Sequence, residues 1–318
     1  MAIECITITS RAHWLELRKR DVTASVVAAL FSAHPFMSPL KLFLTHRDVE
    51  FDDVDDRVKR RGRIMEGAVG NAVLEERPQW RLEANEVADA VPKHPRLYLR
   101  DNELKLGATV DFFIHGDPRG PGILQAKTAA PHIFERDWQG GEVVPFWIQL
   151  QALTEAMLWG ASFAAVAALQ IHAFDLACAL HEIPRHAAAE KRIRDAVTQF
   201  WLDVEDGNEP DADYGRDAEL LRAIAPREVA GKTVDLSGNN ELPALLEQRA
   251  AIMEGIKGYE ARKSEIETQV KFAMKDAESV VGLPDWKITW KSQHQSEYTV
   301  EAKDFRALRI FHKKDKGR

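Results

Sequence analysis

Gly107-Ala-Thr-Val-Asp111-Phe-Phe-Ile114 and Gly122-Ile-Leu-Gln125-Ala-Lys127-Thr128 stand on either side of the turn-rich stretch His115-Gly-Asp-Pro-Arg-Gly120. Both flanks are apolar runs bounded by Gly and Pro, which reads as two adjacent antiparallel strands joined by a short loop. That pairing lets Asp111 approach Gln125. Side chains on a strand alternate faces, so Gln125 and Lys127 project to one side and Ala126 contributes its backbone carbonyl. A carboxylate, an amide oxygen, a carbonyl and an ammonium are expected to converge. Hard oxygen donors suit Mg²⁺, with Mn²⁺ able to substitute, and a neighbouring Lys can position or deprotonate a water, so the group fits phosphodiester hydrolysis. An acidic residue is the usual second ligand. Gln125 can coordinate through its amide oxygen but brings no negative charge, so weaker metal affinity is expected. The spacing Asp then Gln-x-Lys is by itself a weak signal, since it arises by chance in many α/β proteins.

Outward from this hairpin, strand character is expected over 80–91, 96–100, 105–114, 163–171 and 174–181. Helices are expected over 38–46, opened by Ser38 as N-cap and Pro39 at the first helical position, over 54–76, over 146–159 on the periodic Phe146, Ile148, Leu150, Leu153, Ala156 and Met157, and over 185–206. Alternating helices and strands imply a mixed α/β sheet covered by helices, ending near residue 206. Residues 207–240 are rich in Gly, Pro, Asn and Asp and read as a linker with one short helix near 217–224. Residues 241–318 read as an extension. Leu245, Ile252, Tyr259 and Ile266 recur every seventh position on a long helix, and Trp286-Lys-Ile-Thr-Trp290-Lys291 with Tyr298 to Val300 suggests a β-hairpin. The stripe suits an intramolecular or subunit packing face better than a DNA contact.

At 318 residues, 45% hydrophobic and 29% charged, the chain has the composition of an ordinary globular protein. No apolar run reaches membrane-span length, and Met1-Ala-Ile-Glu-Cys-Ile6 lacks the order of a signal peptide, so a cytoplasmic location is expected. Cys5 and Cys178 form neither a zinc pattern nor a disulfide framework. The net charge of −7 leaves nucleic acid open, because phosphate contact needs only a local basic patch. Such a patch is Arg57-Val-Lys-Arg60-Arg61-Gly-Arg63, just before Glu66; a solvated helix face is the alternative. The eleven histidines show no zinc or nucleophilic-triad grouping.

Trp14-Leu-Glu-Leu-Arg18 leads through Thr23-Ala-Ser25 into an apolar helix start, a place that can hold a phosphate. Taken in order, these pieces resemble the lambda-exonuclease or YqaJ-type viral recombinase family of the restriction-endonuclease-like, PD-(D/E)xK nuclease fold. Trp14…Arg18…Ser25 is similar to the family's block that receives a 5′ terminal phosphate. Gly62-Arg-Ile-Met-Glu66 is similar to its G-x-x-x-E helix, Asp111 to its first metal carboxylate and Lys127 to its catalytic lysine. Asp101 stands where the family can carry a further acidic residue, and Gln149 in Trp147-Ile-Gln149-Leu-Gln151 resembles a helix Gln that faces the site. The match spans about residues 10–205. The departure is Gln125, where the family normally has Glu.

The resemblance implies an Mg²⁺-dependent 5′-to-3′ exonuclease on linear double-stranded DNA, leaving 3′ overhangs for phage-type recombination in a bacterial cytosol. Asp111, Glu66, Gln125 and the Ala126 carbonyl would hold metal, Lys127 would place the nucleophile, and Arg18, Ser25, Thr109, Arg60, Arg61 and Arg63 would contact DNA. A ring-like homotrimer and a single-strand annealing partner are also implied. Two other readings stay open: a DNA-end-binding recombination scaffold weakened by Gln125, and a small-molecule binding protein. Plainer roles exist for each residue. Asp111 can bond backbone amides, Glu66 can pair with Arg63 on a helix surface, and Arg18 and Ser25 can be ordinary surface and helix-start residues.

Overall fold

The computed structural model describes residues 3–47, 49, 51, 56–87, 89–90, 93–171, 175–225, 227–294 and 308–310. The chain divides into two compact units, 1–225 and 226–318. In the first the order is β1 (Ile3–Thr7), α1 (Arg11–Arg20), β2 (Val22–Thr23), α2 (Pro39–Thr45), α3 (Asp56–Glu76), β3 (Arg81–Ala84), β4 (Leu97–Asp101), β5 (Leu106–Ala108), β6 (Phe112–His115), β7 (Gly122–Ala129), α4 (Pro131–Trp138), α5 (Phe146–Trp159), β8 (Phe163–Ile171), β9 (Leu176–Pro184), α6 (Ala187–Asp206) and α7 (Ala218–Ile224). The architecture is mixed α/β, with helices flanking the sheets. Among the described residues no helix is long and apolar enough to cross a membrane.

The central sheet runs β3-β6-β7-β8-β9, with β7 and β8 parallel and the other pairs antiparallel. Its faces follow the period of two that a strand imposes. Phe112, Ile114, Leu124, Ala165, Ala167 and Leu169 pack with Val69 and Val73 of α3. Phe113, Ile123, Ala164, Val166 and Ala168 turn to the other face, in one core with Ile148 and Leu153 of α5 and Ile193 and Val197 of α6. A position on β7 is thereby assigned to α3 or to α5 by its parity. Gln125 and Lys127 belong to the α5 side.

The stretch 105–114 is two strands in two sheets. β5 belongs to a second sheet, β1-β4-β5-β2, and β6 to the central one; Thr109 to Asp111 is the crossing. Asn85 pins it, donating through its amide to the carbonyls of Leu97 and Val110, both at 3.0 Å, and from its backbone N–H to the Asp111 carbonyl at 3.0 Å. Gly107 is required on this path: a Cβ there would sit 1.9 Å from the Tyr98 hydroxyl. An alternating pattern does not tell one long strand from two short ones whose crossing keeps the alternation. The expected strand over 80–91 likewise shortens to β3, with a single bridge at Glu86 and Pro95 beyond it.

Residues 207–225, expected in a linker, fold onto the first unit. Asp217 is buried, accepting from the Ser38 hydroxyl at 2.5 Å and the Asp213 backbone N–H at 2.8 Å, and Leu220 joins the core. Their polar composition reflects turns closed by Asp213 and Arg216, not a free tether. In the second unit, α8 (Leu242–Met274) is a single long helix. Ser279 and Thr289 form an isolated bridge in the expected hairpin region, and its second strand, 298–300, lies outside the described residues.

Candidate active site

Asp111 stands where the β6–β7 ladder stops. The last rung joins Phe112 to Leu124, and the next donor along β7, the Ala126 backbone N–H, turns to the Asp111 carboxylate at 2.8 Å. The Gln125 amide nitrogen donates to the same oxygen, Oδ2. N–H and C=O of one strand residue point to the same edge, so the Ala126 carbonyl also faces the gap beyond β6. The Gln125 amide oxygen was expected to join Asp111 as a metal ligand. The structure turns the nitrogen there instead, because a carboxylate accepts only, and gives the oxygen to Gln151 Nε2 at 2.8 Å.

Lys127 and Gln125 share one partner, as parity requires. Lys127 Nζ donates to Gln151 Oε1 at 3.2 Å and lies 5.7 Å from the centre of the Trp147 ring. Gln151 Nε2 also donates to Glu155 Oε1 at 2.9 Å. Gln149, the expected site residue, bonds the Val144 carbonyl at 2.7 Å and is not brought to this cluster. Residues two apart on a helix face away from each other, so only one member of Gln149-Leu-Gln151 can meet the sheet. The signal that selects Gln151 is its partner at i+4, Glu155, a second polar residue inside the buried run from Leu150 to Leu158.

Glu66 reaches the cluster from α3. A shallow cleft is lined by Gly62, Glu66, Val69, Ala126, Lys127 and Thr128. Burial, then the Asp111 and Glu86 carboxylates, push the Glu66 pKa up to about 8, against the opposing pull of Lys127 and Arg63. Asp111 is also raised, by burial, against Lys127 and the hydrogen bonds from Ala126 and Gln125. Two neighbouring carboxyls that resist ionising together describe a place where a cation would be stabilised. Among the described residues no three His, Cys, Asp or Glu side chains form a metal-binding group. The donor set is two carboxylates, the Ala126 carbonyl and an amide that must turn over. That set fits Mg²⁺, which takes one or two carboxylates and keeps several waters.

A second cluster lies on the N-terminal elements. Arg18 Nη2 donates to Ser25 Oγ at 3.1 Å, and Ser25 Oγ lies 2.9 Å from Thr23 Oγ1. The guanidinium sits 5.0 Å from the Trp14 ring centre, and Trp14 Nε1 donates to Thr109 Oγ1 at 3.0 Å. Thr109 is thus a strut between this cluster and the crossing that carries Asp111. Burial lowers the pKa of Arg18, with Tyr98 and Glu155 opposing. The Glu155 interaction relates the two clusters electrostatically. Arg60 and Arg61 are exposed on α3, and Arg63 acts on Glu66 from the same helix. Asp101 is not at the site: it accepts from the backbone N–H groups of Glu103 and Leu104, both at 3.1 Å, and closes the β4–β5 turn.

His34 was not foreseen. It is buried 5.3 Å from the Trp147 ring and accepts from the Phe36 backbone N–H, and burial, reinforced by Lys127, Arg216 and Lys41, lowers its pKa to about 4.

No protein-family model and no curated protein matches this chain at a significant level. Among solved structures it is similar to an alkaline exonuclease from Laribacter hongkongensis, with a TM-score of 0.44 and 16% identity over 66% of this chain and 99% of that one. The same exonuclease in complex with dAMP matches with the same values. A phage-related exonuclease from Haemophilus somnus 129PT matches with a TM-score of 0.41 and 12% identity over 59% of this chain and 96% of that one.

Proposed function

We propose that this chain is a metal-dependent deoxyribonuclease of the restriction-endonuclease-like fold that degrades one strand of linear double-stranded DNA from its 5′ end. The observation that carries this reading is the convergence of Asp111, Glu66 and Lys127 at the open end of the β6–β7 hairpin, with the Arg18–Ser25 cluster tied to it through Thr109. Asp111, Glu66, the Ala126 carbonyl and, once turned, the Gln125 amide oxygen would hold Mg²⁺ or Mn²⁺. A bound divalent cation would polarise the scissile phosphate and lower the pKa of a water. Lys127, held by Gln151, presents an ammonium beside that position and orients the attacking water. Arg18, Ser25 and Thr23 offer donors for a terminal phosphate, which sets polarity without any base contact. Arg60 and Arg61, exposed on α3, would meet backbone phosphates farther along the duplex.

The product would be a 3′ overhang suited to an annealing protein in phage-type recombination, and a ring of three copies would keep the enzyme on its strand. A second reading has support in one contact. Gln125 donates to Asp111 and so satisfies, without metal, the carboxylate that a cation would otherwise occupy. On that reading the chain is a DNA-end-binding scaffold with weak or absent cleavage. The two separate on linear and closed-circular duplex incubated with Mg²⁺, Mn²⁺ or EDTA. Loss of the linear substrate only, and only with metal, supports the exonuclease; salt-sensitive binding without loss supports the scaffold.

A further inference from the structure

Glu155, near the centre of α5, is 1% exposed, and it is an expensive residue to keep there. Its Oε1 accepts from Gln151, while Oε2 is buried with no hydrogen-bond partner. Burial, and then the Asp111 carboxylate, raise its pKa well above the usual range, against Gln151, Lys127 and Arg18. A half-satisfied carboxyl among Leu150, Ala152, Leu153, Ala156 and Leu158 destabilises the fold relative to an apolar side chain of similar volume. Such a residue calls for a reason outside packing.

Its one hydrogen bond supplies that reason. Gln151 spends its amide N–H groups on two acceptors, Glu155 Oε1 and Gln125 Oε1, and this leaves Gln151 Oε1 to receive the Lys127 ammonium. A carboxyl oxygen that accepts from Gln151 holds the amide in that sense. Gln125 Oε1 also accepts from Gln151, but that oxygen leaves when the Gln125 amide turns to a metal, and Glu155 is then the acceptor that keeps the Gln151 amide from turning its NH₂ onto the ammonium. We propose that Glu155 is a positioning residue: by fixing the Gln151 amide it holds Lys127 at the scissile phosphate. The proposal deepens the nuclease reading and rests on it.

A retained fold with a lowered rate separates this role from a structural one. In the full-length protein, Glu155→Leu is expected to keep Tm within about 4 °C of wild type, since it removes an unpartnered buried oxygen but leaves one Gln151 N–H without its acceptor. It is also expected to lower kcat about 10- to 100-fold with KM for DNA nearly unchanged. Glu155→Gln, which keeps an acceptor for Gln151, should retain kcat within a few-fold. A Glu155→Leu protein with unchanged kcat, or one that fails to fold, overturns the proposal. Should the wild-type protein cleave nothing, the nuclease reading fails separately. The relay is then read from labelling of Lys127 by an amine-reactive ester: several-fold faster in Glu155→Leu if Glu155 holds it, unchanged if it does not.

Discussion

Helices α5 and α8 meet water in opposite ways. α5 is buried without interruption from Leu150 to Leu158, and its polar residues are the unusual ones. α8 is exposed along nearly its whole length, with Leu245, Ile252, Tyr259 and Ile266 of the seven-residue stripe all open and only Met274 buried. In a buried helix each polar side chain must find a partner or cost stability, so Gln151 and Glu155 point to function. On an exposed helix polar side chains are solvated for free, and the apolar stripe is what calls for explanation. The same residue type is therefore evidence in one helix and background in the other.

The sharpest break of this contrast is at the group that α5 holds. Lys127→Ala should reduce cleavage by about 10²–10⁴-fold, with DNA binding and Tm close to wild type. A comparable loss of Tm would mean that Lys127 braces the fold and does not act on substrate. Leu153→Ala, inside the α5 core, should cost about 2–5 kcal/mol in denaturant unfolding of the first unit.

How far the sequence carried follows from the same contrast. The Arg18–Ser25 pair came from the family resemblance, whereas the strands around Asp111 and Lys127 and the long helix with Glu66 were legible because each rests on short-range periodicity. The crossing at Thr109 to Asp111 was not, because two short strands preserve the alternation of one long one. Gln149 was expected at the site from the family resemblance alone, and the apolar residues of α5, which surround the helix, give no phase that separates it from Gln151. The fold-back of residues 207–225 was hidden for another reason: Asp217 is held by Ser38, 179 positions away.

Gln125→Glu restores a charge where the amide now donates to Asp111. It should raise cleavage, or lower the Mg²⁺ needed for half-maximal rate, by about ten-fold or more. If a protein inactive with Gln125 stays inactive with Glu, one missing ligand does not explain the silence. The Mg²⁺ requirement should also depend on pH. Glu66 binds a proton up to about pH 8, and metal must displace it, so the Mg²⁺ needed should fall about ten-fold per pH unit from 6 to 8 and level off above. A flat profile would detach Glu66 from the metal. The smallest effect belongs to α8, where Ile252→Ala should change stability of the isolated chain by less than about 0.5 kcal/mol.

The proposed reading has Asp111, Glu66 and Lys127 cleave a strand whose 5′ phosphate is held by Arg18 and Ser25. It is tested most directly on a linear duplex with one 5′ end phosphorylated and the other not, each strand separately labelled, in Mg²⁺ beside a Lys127→Ala control. Loss of the phosphorylated strand from its 5′ end is expected, abolished by EDTA and by Lys127→Ala. Tight binding with both strands intact, or equal loss from both ends, would contradict it.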